Sequence, residues 1–165
     1  MSITKRTMLG SEDRASLQYA VEQELYASNF YKYAATCCQR MGYFGAQKFF
    51  EKESADEIEH YYMHRDFLND RGDEADMPAI EEVDFPKDDS LEGIVDMALK
   101  MEKDLGDYYN KKYFATKDAS VQVHLMKFVD IQTKAVGEYL DLMARISLVK
   151  NNEAGLLLID QELGK

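Results

Sequence analysis

From residue 12 to about residue 40, apolar and small side chains recur three and four positions apart. Leu17, Ala20, Val21, Leu25, Ser28, Phe30, Tyr31 and Ala35 make a stripe along one helix face. Ser11 is expected to cap this helix, with Glu12 and Asp13 favourable in its first turn. Gly42 and Gly45 are read as a turn, and a second helix is expected over about 45–71, ending where Gly72 follows Arg71. Residues 73–90 are acidic and carry both prolines, Pro78 and Pro86, so they read as a long crossover rather than a hairpin. Ser90 can cap a third helix over about 91–116, and a fourth is expected over about 119–148 after Thr116-Lys117-Asp118. Asn151 and Asn152 break the chain before a short apolar helix, Glu153–Leu163. No strand-type alternation persists and no internal repeat is visible.

Helices of ~25–30 residues are ~38–45 Å long at ~1.5 Å rise per residue. Two helical hairpins joined by one long crossover make an all-α, up-down-down-up four-helix bundle, with the fifth helix appended, in a single domain covering 1–165.

Composition narrows the function. The chain has 165 residues, 45% of them hydrophobic and 31% charged, which suits one globular domain and excludes wholesale disorder. A formal charge of −11 argues against a nucleic-acid partner, because phosphate binding needs basic patches. No apolar run reaches membrane-spanning length, and the opening MSITKRTMLGSEDR lacks the apolar segment of a secretory signal, so a cytoplasmic protein with no membrane partner is expected. Cys37 and Cys38 are the only cysteines; as neighbours on a helix they are expected to stay reduced. Without a C-x-x-C, thiolate metal sites of the zinc-ribbon or rubredoxin kind are excluded.

The candidate chemistry lies in polar residues set among apolar ones. Glu57 and His60 are three apart and therefore share a helix face. Glu24 lies two turns before Tyr31; Glu102 sits among Met97, Ala98, Met101, Leu105 and Tyr109; Gln132 follows Phe128, Val129 and Ile131. Singly, each has a plain structural reading: a surface position for Glu24, a pairing with Lys103 for Glu102, a buried hydrogen-bonder for Gln132. Jointly, with one such group per helix, they point to a metal. Carboxylates converging in a core repel one another and take up protons, whereas divalent cations relieve both effects. Oxygen-rich ligation with one imidazole suits Fe(II), Mn(II) or Zn(II). His64, four after His60, offers a further zinc alternative that lacks a third His or Cys nearby, and His124 has no partner legible in the sequence.

At these residues the chain resembles the ferritins over essentially its whole length. The matching elements are Glu22-Gln23-Glu24-Leu25-Tyr26 with Tyr31, then Phe49-Phe50 ahead of Glu57-Ile58-Glu59-His60, then Lys100-Met101-Glu102, the fourth-helix Gln132, and the tail Gly155–Leu163 as a short fifth helix. The resemblance implies a non-haem ferritin: a hollow homo-oligomeric shell of twenty-four chains that oxidises Fe(II) with O₂ at a di-iron centre and stores Fe(III) mineral. Carried over by position, Glu24, Glu57 and His60 would bind one iron, Glu57 would bridge to a second held by Glu102, and Gln132 would be a weak ligand or hydrogen-bonding neighbour. Tyr31 would stand beside the centre as an electron donor.

Departures from the family pattern matter. Ile131 and Ala135 stand where many bacterial ferritins have the glutamates of a third iron site, although Asp56 keeps a carboxylate beside Glu57. Ile58 replaces the haem-binding methionine of bacterioferritins, and helix four lacks their second Glu-x-x-His, so no haem is expected. Glu53, Asp56 and Glu59 would form an acidic inner surface for mineral nucleation, or simply a solvated face. Around Gln122 and Leu125 the acidic pair of the usual threefold channel is missing. Two other readings are a passive storage shell and a non-cage di-metal carboxylate oxidase.

Overall fold

The structure is a computed structural model, and it describes residues 6–85, 90–150 and 152–165. Pro86 and Asn151, read above as part of the crossover and as a chain break, lie outside the described residues. Five helices follow in order: α1 (Ser11–Met41), α2 (Phe44–Asp70), α3 (Leu91–Ala115), α4 (Ala119–Val149) and α5 (Glu153–Leu163). Helix α1 packs along α2 and α3 along α4; α5 lies against α2 and α4. The result is a four-helix bundle with a short fifth helix, and no described helix is long and apolar enough to cross a membrane.

Helical spacing explains the packing. In α1 the buried positions Leu17, Ala20, Val21, Glu24, Ala27, Ser28, Tyr31, Ala34, Ala35 and Cys38 recur every three or four residues, so one face is carried into the core. Small residues let α1 and α2 approach closely, and there Ser28 Oγ donates to the Ser54 carbonyl at 3.0 Å while Ser54 Oγ donates to the Ser28 carbonyl at 2.9 Å. The core divides into two apolar clusters. One holds Phe30, Tyr31, Phe50, Ile94, Tyr139 and Ile146; the other holds Leu17, Leu68, Tyr109, Val121, Leu125 and Phe128. Buried Glu24, Glu57, Glu102 and Gln132 belong to neither cluster.

The ends differ from the sequence expectation in two places. Ser11 is the first helical residue rather than the cap; Gly10 occupies the N-cap position and makes no side-chain cap bond. Gly45 is not a turn residue. The turn is complete at Gly42, whose positive φ of 87° lets its N–H reach the Gln39 carbonyl, and α2 already includes Gly45. Elsewhere the caps follow the sequence signals. Ser90 Oγ accepts from the Gly93 N–H at 3.0 Å, and Asn152 Oδ1 accepts from Gly155 at 3.0 Å. Asp118 caps α4 and also accepts from Arg71 Nη2 at 2.7 Å, which joins the end of α2 to the start of α4; the Arg71 guanidinium holds the Asp118 carboxyl down at about 2.

Candidate metal centre

Each long helix contributes a polar side chain at a core position. On α1, Glu24 is fully buried; on α2, Glu57 is buried and His60 half-buried one turn later; on α3 and α4, Glu102 and Gln132 are buried. Helix regularity alone sets these orientations, because Glu24 and Tyr31 fall on the α1 core stripe, as Glu102 and Tyr109 do on that of α3.

Glu24, Glu57 and His60 offer ligand atoms that all lie within 4.8 Å of one another. His60 Nδ1 is 2.9 Å from Glu57 Oε2 and 3.4 Å from Glu24 Oε2. Glu24 Oε2 is buried and lacks a hydrogen-bond partner among the described residues. A buried carboxylate oxygen whose nearest cationic group, His60, stands beyond a good hydrogen bond at 3.4 Å is a natural position for a metal ion.

Glu102 lies outside that three-residue group. Its two oxygens are taken by Tyr31 Oη and Gln132 Nε2, which both donate to it. Gln132 Nε2 also lies 3.4 Å from the Glu102 carbonyl. The structure thus brings Glu24, Glu57 and His60 together as one group and joins Glu102, Gln132 and Tyr31 as another.

The electrostatics are those of buried carboxylates crowded around one imidazole. Burial, then the charge of Glu24, pushes the Glu57 carboxyl well above its ordinary value of 4.5. Burial likewise raises Glu102, against the opposing bonds from Tyr31 and Gln132. For Glu24, burial also acts upward, but the nearby His60 and His64 rings, 3.4 and 3.6 Å from its oxygens, outweigh it and the carboxyl lies below its ordinary value. Burial works to lower His60, while Glu24 and Glu57 overcome it and lift the imidazole from 6.5 to about 10. A divalent metal would therefore compete with protons for His60 and Glu57.

A pH dependence follows. His60 binds its proton more tightly folded than unfolded, so its contribution to stability is complete below pH 6.5 and is lost as the pH rises through about 10. Glu57 is shifted in the same sense. Glu53, which burial raises to about 7, reinforces the trend over part of that window. Calorimetry on metal-free protein should show the melting temperature falling from pH 6.5 to 10, and bound Zn(II) should flatten the decline because the metal replaces the protons. A flat metal-free profile would remove His60 from the cluster.

His64 and His124 have partners that their sequence reading did not supply. His124 has partners after all: its Nε2 lies 2.9 Å from His64 Nδ1, and its ring stacks on Phe67. His64 turns to Tyr109 and His124, and it is Glu24 and Glu57 that converge with His60. Leu125 is a core residue, and Gln122 donates to the Thr116 carbonyl at 3.2 Å. Asp56 is paired with Lys52 at 2.6 Å, Glu53 accepts from Tyr139 Oη at 3.3 Å, and Glu59 is exposed. The group that sequence reasoning missed is Tyr109, which donates to Glu24 Oε1. Its signal was present, because Glu102 precedes Tyr109 by the same seven residues that separate Glu24 from Tyr31.

Comparison with known proteins agrees with this architecture. The model of the ferritin-like domain matches residues 14–149. A probable bacterial non-haem ferritin-like protein of Haemophilus influenzae is 28% identical over 144 residues, covering 86% of this chain and 87% of that protein. A bacterial non-haem ferritin of Staphylococcus epidermidis is 28% identical over 145 residues, covering 84% of this chain and 87% of its own length. Among solved structures, an open-pore ferritin of the archaeon Archaeoglobus fulgidus superposes with a TM-score of 0.89 at 21% identity, covering 94% of this chain and 98% of that one. With its four-helix bundle, its appended fifth helix and a family match running through all four long helices, this chain belongs to the ferritin-like domain family.

Proposed function

We propose that the protein is an iron-storage ferroxidase. Fe(II) is its substrate, O₂ the oxidant, and Fe(III) mineral the stored product, held inside a homo-oligomeric shell of twenty-four chains in the cytoplasm. The observation that carries this reading is the unsatisfied Glu24 Oε2, buried beside Glu57 and His60 where three ligand atoms lie within 4.8 Å of one another.

Glu24, Glu57 and His60 take the first Fe(II). Glu57 bridges to a second Fe(II) held by Glu102, with Gln132 as the neighbouring hydrogen-bond donor or weak ligand. Each iron that binds displaces protons from His60 and the buried carboxyls, so uptake and proton release are linked. Two Fe(II) held side by side deliver two electrons to one O₂. When only one Fe(II) is bound, Tyr31, whose hydroxyl donates to Glu102, can supply the second of the two electrons that, with two protons, take O₂ to hydrogen peroxide. Burial holds the Tyr31 phenol well above its ordinary value, so it starts as the neutral phenol and loses a proton with the electron. Glu53, Asp56 and Glu59 are the carboxylates on which mineral would begin, with Glu59 exposed, Asp56 shared with Lys52 and Glu53 with Tyr139. Membership in the ferritin-like family and likeness to proteins named non-haem ferritins support iron as the metal.

The test is stopped-flow ultraviolet absorbance after about two Fe(II) per chain meet metal-free protein in air. A rapid rise that saturates near this ratio is expected. Oxidation no faster than in buffer would reduce the chain to a passive shell or a site for another metal. Tyr31→Phe should keep Fe(II) binding and change the oxidation transient; loss of binding in that variant would make Tyr31 structural instead.

A further inference from the structure

The symmetry between the two tyrosines is broken by what lies behind them. Tyr31 donates to Glu102 and stacks on Phe50 and Tyr139. Tyr109 donates to Glu24 Oε1 and is itself met by His64 Nε2 at 2.9 Å, a nitrogen that stands 3.6 Å from Glu24 Oε1 and so beyond a direct hydrogen bond; His64 Nδ1 in turn lies 2.9 Å from His124 Nε2. All four side chains are buried, and they come from all four long helices: Glu24 from α1, His64 from α2, Tyr109 from α3 and His124 from α4.

Counting hydrogens fixes the direction of this chain. An ionised carboxylate accepts only, so the single Tyr109 hydroxyl hydrogen goes to Glu24 Oε1. The Tyr109 oxygen then accepts, which places a hydrogen on His64 Nε2. A neutral His64 with its hydrogen there presents a bare Nδ1, which accepts from His124 Nε2–H. Burial supports the neutral forms, lowering His64 and taking His124 down to about 3. Each hydrogen points toward Glu24, and one of its oxygens is occupied while Oε2 stays open on the side of Glu57 and His60.

We propose that Tyr109, His64 and His124 are positioning residues of the metal centre, forming a directed hydrogen-bonded strut that holds Glu24 by Oε1 and reserves Oε2 for the metal. The strut rests on the reading of Glu24, Glu57 and His60 as metal ligands and adds three residues to it. Packing also holds it rigid: the His64 ring stacks on Phe128 with centroids 4.0 Å apart, and His124 stacks on Phe67 at 4.1 Å. A ligand fixed by an outer partner pays less ordering entropy when the metal arrives, and loss of such partners typically weakens metal binding by roughly 10- to 100-fold.

Co(II) reports on this without turnover, because its visible spectrum depends on the ligand set. Tyr109→Phe in the full-length metal-free protein should weaken Co(II) binding by roughly 10-fold or more and alter the Co(II) spectrum. His64→Leu should do the same. His64→Gln, whose amide can still donate to the Tyr109 oxygen, should stay within ~3-fold of the unmodified chain, and Tyr109→Phe with His64→Leu should lose no more than Tyr109→Phe alone. Unchanged affinity and spectrum in Tyr109→Phe, additive losses in the double variant, or equal losses in His64→Gln and His64→Leu would each overturn the strut. The underlying reading fails separately, and takes the strut with it, if Glu57→Ala binds Co(II) as well as the unmodified chain. If Tyr109→Phe does not fold, the two His64 variants decide the question.

Discussion

Replacing Glu57 with alanine should bring Fe(II) oxidation down to the rate in buffer while leaving the fold intact. Glu57 is the side chain on which the centre depends most. It is buried, it is one of the three converging groups, and its Oε2 lies 2.9 Å from His60. Removing it deletes the proposed bridge and leaves His60 with Glu24 alone. The fold should tolerate the loss because the Glu57 carboxyl contributes little to metal-free stability at neutral pH. Burial and the Glu24 charge raise it, so keeping it ionised in place costs free energy. Loss of a ligand shared by two irons should cost at least the ~100-fold seen when outer-shell partners are removed. The control is Glu51→Ala, an exposed carboxylate on the same helix, which changes the charge equally. Its oxidation transient should match the unmodified chain. Fast oxidation retained in Glu57→Ala would sink the bridging assignment, and slow oxidation in both variants would trace the effect to charge rather than ligation.

What was legible in the sequence was whatever one helix decides by itself. Period fixes which residues of α1 face inward, so Glu24 and Tyr31 could be placed together from the spacing of Leu17, Ala20, Val21, Ser28 and Ala35. Glu102 and Gln132 were visible in the same way, as polar residues on apolar stripes. The rest depended on how helices are rotated against one another, which no local pattern contains. His64 and His124 are separated by 60 positions, and only the packing of α2 against α4 makes them partners. Tyr109 looked like an apolar filler of α3 because its polar end finds Glu24 across the bundle, 85 positions away. Local signals also misled where tertiary contact overrode them. Gly45 has the composition of a turn, but α2 continues through it because α5 caps the helix from outside. The Asp160 side chain accepts from the Ala46 N–H at 2.7 Å, 114 positions along the chain.

That contact makes Gly45→Ala the substitution with the largest expected effect on structure. A Cβ at position 45 would stand 1.7 Å from the Asp160 carbonyl oxygen and 2.7 Å from its carbonyl carbon, both backbone atoms of α5. No rotamer change relieves a clash with backbone, so α5 must withdraw, and with it goes the Asp160–Ala46 bond. Overpacking of this kind typically costs ~1–3 kcal/mol and sometimes more, which in a chain of this size lowers the melting temperature by about 2–4 °C per kcal/mol. The consequence should be selective. Helix α5 lies against α2 and α4, whereas the metal-ligand cluster is built on α1 and α2 and is steadied by α3 and α4. Gly45→Ala should therefore bind Co(II) at the centre with an unchanged spectrum while its melting temperature falls. An unchanged melting temperature would show that α5 yields without cost. Loss of the Co(II) spectrum would show instead that bundle and fifth helix form one cooperative unit, so that the centre depends on α5 across the packing of α2 and α4.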